Sequence, residues 1–128
     1  MDMTPFETTS VTVAYRQRCE DRVKVVELDG GVLIVVADGA GGTGGGAEAA
    51  ETVIREVTAA ACLNRDPEGW CDVLRQTDYR IADGESTCVV VARSASGIVG
   101  AAVGDSGVWL LEQDEVIDLT ADQFRKLL

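Results

Sequence analysis

Acidic side chains stand at the ends of the apolar, strand-like segments of this 128-residue sequence. Glu20 and Asp21 follow the first of these segments, Asp38 ends a continuous apolar run, and a later turn contains Asp105. Carboxylate and carbonyl oxygens are the ligands that magnesium, manganese and calcium ions prefer. A cation would also keep such carboxylates ionised, because unpaired acids that lie together repel each other. Any one of these acids fits an ordinary turn, but together they predict a divalent-cation site.

The composition excludes several other kinds of chemistry. The chain contains no histidine, which removes Ser-His-Asp and Cys-His nucleophile pairs, HExxH zinc sites and imidazole general bases. Its 22 acidic residues outnumber its 11 basic ones, and the resulting formal net charge of −11 argues against a nucleic-acid partner. With 46% hydrophobic and 26% charged residues, the sequence is typical of one globular domain.

The cysteines and the N-terminus indicate a location. Cysteine occurs without any CxxC pair, which argues against a zinc site. The N-terminal residues 1–5 lack the basic start and apolar core of a signal peptide, and the run Val32–Ala37 is too short to span a bilayer. We therefore expect a cytoplasmic protein with no membrane partner and with reduced, mostly buried thiols. The four positions are Cys19, Cys62, Cys71 and Cys88.

Hydrophobic periodicity predicts the elements that would position these acids. Strand patterns come before and after two helical patterns, and the later strands are spaced as hairpins, so we predict an α+β fold with antiparallel sheets. Trp70 and Trp109 occupy inward positions of these patterns, which predicts that both lie in the core. The predicted strands are 8–15, 23–28, 32–37, 86–92, 98–103, 108–111 and 116–119, and the predicted helices are 47–62, 66–81 and one beginning at Thr120.

Four short motifs occur in order along the chain: RQRCED at 16–21, VADGAGG at 36–42, GESTCVV at 84–90 and VGDSGV at 103–108. In this order the sequence resembles the metal-dependent Ser/Thr protein phosphatases of the type 2C, or PPM, family, from about Val11 to about Leu119. The resemblance implies an αββα sandwich, in which two antiparallel sheets are flanked by helices. It also implies that residues 1–128 form a single domain, incomplete at its C-terminal end.

The resemblance assigns the metal ligands residue by residue. Asp38 would bridge two Mn²⁺ or Mg²⁺ ions, and Gly39 would offer its backbone carbonyl to one of them. Glu20 and Asp21 would complete the shell directly or through water. Asp105 resembles the family's acid near a third, weaker metal position.

The same resemblance implies a reaction. Arg16 resembles the guanidinium that binds the substrate phosphate, a task suited to its planar fork of donors. With Asp38 as the other catalytic residue, the chain would hydrolyse phosphoserine or phosphothreonine in a phosphorylated protein, using a water that bridges the metals. Ser86 and Thr87 resemble a motif at a strand start that supports the sheet, so their expected role is structural.

The sequence also departs from the family. The family's C-terminal half contributes a DG strand end and a DN pair, whose aspartates hold the first metal, and neither motif is present here. The chain is therefore either a piece of a longer phosphatase or a degenerate domain. The alternative function is a pseudophosphatase that binds a phosphopeptide or partner without turnover. The sequence does not predict an oligomeric state.

The glycine-rich loop offers one further interpretation. Gly39, Gly41 and Gly44 fit the G-x-G-x-x-G pattern of dinucleotide-binding folds. However, Asp38 would repel a pyrophosphate bound there, and hairpin-spaced strands are not typical of the parallel sheet that such folds need. We therefore do not favour a nucleotide cofactor.

Overall fold

The structure is a computed structural model that describes residues 6–14, 19–40 and 44–121. Among these residues no helix is long and apolar enough to cross a membrane. The elements follow in the order β1 (Asp21–Leu28), β2 (Gly31–Ala40), α1 (Gly46–Ala59), α2 (Pro67–Arg80), β3 (Glu85–Ser86), β4 (Cys88–Ser94), β5 (Gly97–Val103), β6 (Trp109–Glu112) and β7 (Glu115–Asp118).

The larger of two sheets has the strand order β1-β2-β4-β5, with β3 paired to the end of β2. All of its pairs are antiparallel. β1 and β2 form a hairpin whose turn places Gly30 at φ 89°, a conformation that glycine adopts without strain. These pairings confirm the predicted α+β class with antiparallel sheets and exclude the parallel arrangement of a dinucleotide-binding fold.

One face of this sheet packs against both helices and forms the core. Alternate residues of β2 and β4 point to this face, as period-2 strands require, and they meet apolar side chains of α1. Trp70 of α2 is fully buried, as predicted, and Arg65 lies 5.0 Å from its ring centroid. The core members are Leu33, Val35, Ala37, Ala50, Val53, Val57, Trp70, Cys88, Val90 and Ala92.

The two helices begin in different ways. α2 begins as predicted, with Asp66 as N-cap, whose Oδ1 accepts the Gly69 N–H at 2.7 Å, and with Pro67 in the first turn. α1 has no side-chain cap, and its N-cap position is Gly45 at φ 90°. Gly45 and Gly46 therefore give the start of α1 a backbone without side chains, and this start lies beside the acidic end of the sheet.

The small sheet pairs β6 with β7. Thr120 joins the two chain segments at the open end of this hairpin. Thr120 Oγ1 accepts the Val108 N–H at 3.1 Å and donates to Asp118 Oδ1 at 3.0 Å. Thr120 therefore closes this hairpin, and residues 122–128 of the helix predicted to begin at Thr120 lie outside the described residues. The prediction that Trp109 is a core residue is wrong for the described part of the chain, in which no apolar layer covers its ring and Trp109 is 56% exposed.

The predicted first strand is also wrong over residues 8–14, which form no strand; Tyr15 lies outside the described residues. Val11 and Val13 are 82% and 73% exposed. Alternation becomes a strand only where a sheet edge pairs with the backbone and a core covers the apolar side. Residues 7–13 instead line one side of a groove over β1 and β2.

All four cysteines are free thiols, but the prediction that most are buried is wrong. Only Cys88 is buried, and the other three are half-buried: Cys19 and Cys62 lie in loops, and Cys71 of α2 lines a pocket beside Leu74 and Cys88. Burial raises the pKa of the Cys88 thiol to about 12, so this sulfur stays protonated and inert at neutral pH.

Candidate active site

Two predicted metal ligands form a cross-strand pair at the acidic end of the large sheet. Asp21 of β1 lies directly opposite Asp38 of β2. Ala37, the neighbour of Asp38, is buried against the helices, so both acids point to the opposite face of the sheet. Like charges placed directly opposite each other destabilise a sheet, so this pair calls for a proton or a cation.

The pKa of Asp38 is affected by each of the other three predicted acids. Although Asp38 is exposed as a residue, its pKa is raised above the ordinary value of 3.8, first by partial desolvation of its carboxyl group. A hydrogen bond with Asp21 and the charge of Asp21 raise this pKa further, as do the charges of Asp105 and Glu20. The fold thus brings together four acids that lie up to 85 positions apart in the sequence (Glu20 to Asp105).

Glu20 presents an unmet polar group at the start of α1. Its Oε2 is buried and has no hydrogen-bond partner. The carboxylate lies so close to Gly46 that a Cβ there would collide with Oε2. A helix N-terminus favours negative charge, and a buried oxygen without a partner is costly, so a cation bound at this carboxylate would stabilise it.

Gly39 connects three parts of the site through backbone contacts. Its N–H donates to the Glu20 carbonyl at 3.1 Å. A side chain at this position would collide with the carbonyl of Gly46. The first acidic segment, the end of β2 and the start of α1 are therefore packed backbone against backbone. The assignment of the Gly39 carbonyl as a metal ligand stays a prediction.

Two residues with no assigned role in chemistry join these acids. Thr87 exchanges hydrogen bonds with the backbone of Asp38, and its hydroxyl lies 2.6 Å from that of Ser106, next to Asp105. Both residues belong to motifs quoted from the sequence, but the resemblance gave Thr87 only a role in supporting the sheet and gave Ser106 no role.

Arg22 is a further residue that the sequence analysis missed. Its guanidinium donates to the carbonyls of Cys19 and Asp21 at 2.8 and 2.9 Å and pairs with Glu51 of α1 at 3.0 Å. It therefore ties the first acidic segment to the helix layer. The available signal was a cation directly after two acids in a strand. Arg16, the predicted phosphate ligand, lies outside the described residues.

An open groove of about 800 Å³ leads to the acids. Residues 7–13 line one side of it, and apolar side chains of β1 and β2 form its floor, Ile34 and Val36 among them. Asp21, Asp38 and Ser106 lie at its end. The groove therefore combines an apolar floor with carboxylate and hydroxyl groups at its end.

The acids fit a divalent cation in charge and donor chemistry. The raised pKa of Asp38 and the unpartnered oxygen of Glu20 are both relieved when a cation replaces protons. However, within 6–14, 19–40 and 44–121, no three acidic or cysteine side chains have the arrangement of a metal site. The described residues therefore supply only part of a coordination shell.

Fold and site together define an α+β domain with an acidic, cation-type site at one end of an antiparallel sheet. A model of the family described as Protein phosphatase 2C matches residues 13–126. This match covers most of the sequence, and the chain therefore belongs to the protein phosphatase 2C family. The resemblance found in the sequence is confirmed.

A solved structure supports the same fold. The chain is similar to the PPM Ser-Thr phosphatase MsPP from Mycobacterium smegmatis, which was solved in complex with cacodylate. The TM-score is 0.67 and the sequence identity is 20%. The similarity covers 88% of this chain and 50% of that one, so the chain spans about half the length of that phosphatase. No curated protein matches the sequence.

Proposed function

We propose that this chain is a metal-dependent phosphatase domain that acts on phosphoserine and phosphothreonine in proteins. One observation carries the proposal: Asp21, Glu20 and Asp105 all raise the pKa of Asp38 at the end of a groove. Family membership and this gathering of acids favour an enzyme over the pseudophosphatase alternative.

A cation is needed because the acids alone would repel a phosphate group. Asp38, Asp21 and Glu20 would hold two Mn²⁺ or Mg²⁺ ions, together with the Gly39 carbonyl, and Asp105 would lie near a third. When bound, such ions activate a water molecule for attack on phosphorus and neutralise the phosphoryl oxygens. The incomplete shell of the described residues leaves room for further ligands.

The other roles belong to the chain's own residues. Arg16 would bind the phosphate through its fork of donors and orient it. The groove would hold the polypeptide on either side of the phosphorylated residue, with its apolar floor excluding water. Ala40 carries no titratable group where some family members have histidine, so no side chain at that position would protonate the leaving group.

We further propose that residues 1–128 form one domain, which the family match over 13–126 supports. The DG and DN aspartates that the resemblance implies for the family's C-terminal half are not among residues 1–128. We also propose a cytoplasmic location, which is supported by four free cysteines, since reducing compartments keep thiols unpaired.

The proposal is tested by hydrolysis of p-nitrophenyl phosphate and of a phosphothreonine peptide, with and without Mn²⁺. We expect turnover that depends on Mn²⁺. Asp38→Ala should lower it by more than the roughly 10- to 100-fold that is typical of residues behind the metal ligands.

Asp114→Ala is the matched control, because this acid lies in the exposed β6–β7 turn. It should leave turnover unchanged. Equal loss in both variants, or no Mn²⁺-dependent turnover by the unmodified chain, would contradict the proposal. Mn²⁺-independent binding of the phosphopeptide without turnover would instead support the pseudophosphatase.

A further inference from the structure

Thr87 faces Asp38 between two stretches of regular strand pairing. β2 pairs with β3 at Gly39–Ser86 and with β4 at Val36–Val89, and the same register places Thr87 opposite Asp38. The Thr87 N–H donates to the Asp38 carbonyl at 3.0 Å. This is one of the two backbone hydrogen bonds that an ordinary antiparallel residue pair exchanges.

The other half of this pair is made by a side chain. The Asp38 N–H donates to Thr87 Oγ1 at 3.1 Å, and the Thr87 carbonyl accepts instead from Ser86 Oγ at 2.7 Å. The Thr87 hydroxyl thus takes the place of a backbone acceptor at the position of the central acid. A substitution of Thr87 can therefore remove the acceptor of the Asp38 N–H without changing the backbone of the strand.

The same hydroxyl reaches the second acid-bearing turn. Thr87 Oγ1 and Ser106 Oγ lie 2.6 Å apart, and Ser106 directly follows Asp105. The Thr87 side chain also packs on Gly104: a Cβ there would lie 2.6 Å from the Thr87 methyl group. Gly104 has a φ of 93°, so the turn takes a backbone conformation that suits this close approach.

We propose that Thr87 is a positioning residue, and that its hydroxyl forms with Ser106 a clamp that fixes the spacing of Asp38 and Asp105. The proposal rests on the proposed function, in which both acids serve one metal centre. It goes beyond support of the sheet, because a role confined to the sheet would involve the β2–β4 pairing and would not extend to the Asp105 turn.

Hydrogen–deuterium exchange of the full chain without metal tests the clamp by itself. Thr87→Val keeps the shape of the side chain and removes its hydroxyl. We expect exchange to rise by roughly 2- to 10-fold, the range for one lost hydrogen bond, in both 36–40 and 104–107. Thr87→Ser should restore most of the protection, and Ser106→Ala should loosen 104–107 and 36–40 together.

Thr52→Val of α1 is the matched control, since its hydroxyl bonds only within the helix, to the Glu48 carbonyl. It should change exchange at neither acid-bearing segment. If Thr87→Val loosens 36–40 alone, Thr87 supports only the sheet and the clamp is overturned. Unchanged exchange at both segments would overturn it as well.

Mn²⁺ affinity, measured by electron paramagnetic resonance, gives a second readout. We expect Thr87→Val and Ser106→Ala each to weaken binding by roughly 3- to 10-fold, and the double variant to lose no more than the larger single loss, because both residues act as one unit. Additive losses would contradict the clamp. If the unmodified chain binds no Mn²⁺, the proposed function fails, while the exchange experiment still decides the clamp.

Discussion

The carboxyl group of Asp38 lies among the other predicted ligands, and their charges raise its pKa. Its carboxyl lies opposite that of Asp21, and the pKa of Asp38 is raised by desolvation and by three neighbouring acids. A group in this situation costs stability when it is ionised without a counter-ion. The same feature that suits Asp38 to a metal therefore weakens the metal-free fold at neutral pH.

The stability of the metal-free chain should consequently fall as the pH rises. The pKa of Asp38 in the folded chain lies above the ordinary value of 3.8, so the folded state binds this proton more tightly than the unfolded state does. The stabilisation is fully present below the ordinary pKa and is lost as the pH rises through the raised one. Asp38→Asn should therefore unfold at a higher temperature than the unmodified chain at pH 7.

Thermal unfolding followed by circular dichroism from pH 3 to pH 8 checks this prediction. The advantage of Asp38→Asn should shrink at acid pH, where the native carboxyl is also neutral. Asp114→Asn in the β6–β7 turn is the control and should show no advantage at any pH. A lower unfolding temperature for Asp38→Asn at pH 7 without metal would contradict the predicted direction.

Arg16 should act on substrate rather than on metal. Removal of a hydrogen bond to a charged group costs about 1.5–3 kcal/mol, which corresponds to roughly 10- to 100-fold. We expect Arg16→Ala to lower kcat/KM for a phosphopeptide by such a factor and to leave Mn²⁺ affinity within about twofold of the unmodified chain. Steady-state kinetics and Mn²⁺ titration measure the two effects, with Arg18→Ala as the neighbouring control. Equal losses in both variants would indicate a general charge effect.

At the scale of elements, the start of α1 is shaped to receive the Glu20 carboxylate. Gly45 and Gly46 leave the first turn without side chains, and Glu20 fills the space beside Gly46. Arg22 supports this arrangement from the strand side by linking the carbonyls of Cys19 and Asp21 to Glu51. Helix, hairpin and acidic segment therefore form one unit.

Gly46→Ala tests whether these parts pack as one unit, because helix propensity and the contact with Glu20 predict opposite changes in stability. Glycine-to-alanine changes within helices usually stabilise by about 0.5–1 kcal/mol. Here the new Cβ would collide with Glu20 Oε2, so we expect a lower unfolding temperature and weaker Mn²⁺ binding. Gly69→Ala is the control for a collision at a helix start away from the acids: its Cβ would lie 2.7 Å from Arg65 Cγ, and it should leave Mn²⁺ binding unchanged. Stabilisation by Gly46→Ala with unchanged Mn²⁺ affinity would contradict this arrangement.

At the scale of the whole molecule, binding of Mn²⁺ to the clustered acids should stabilise the folded state. The chain carries a formal net charge of −11, and four of its acids gather at one end of the large sheet. A ligand that binds only the folded state stabilises it by about 2.7 kcal/mol at one hundred times its Kd. Mn²⁺ should therefore raise the unfolding temperature by several degrees, far more than NaCl at equal ionic strength.

Differential scanning calorimetry with the unmodified chain and Asp38→Asn checks this prediction. The variant should lose most of the Mn²⁺-induced increase although it starts from a higher temperature without metal. The two effects of one substitution thus have opposite signs, which general damage to the fold would not produce. An equal Mn²⁺-induced increase in both proteins would show that the ion acts only by screening the net charge.

The sequence by itself determined the class of fold, the main strands and the two helices. Continuous β-branched runs predicted β2 and β4, and the Asp66-Pro67 pair predicted where α2 begins, because both signals are local in origin. Four ordered motifs also identified the acids that the fold brings together. Local patterns carry this information because backbone preferences and face periodicity act over a few residues.

Tertiary structure alone decided what covers each face and which distant groups meet. The alternating residues 8–14 and the strand residue Trp109 have apolar patterns that none of the described elements covers, and a pattern does not specify what packs on it. The contacts of Thr87 with Asp38 and Ser106 join residues 49 and 19 positions apart. Hydrogen bonds across such separations depend on how whole strands are placed, so no local signal could predict them.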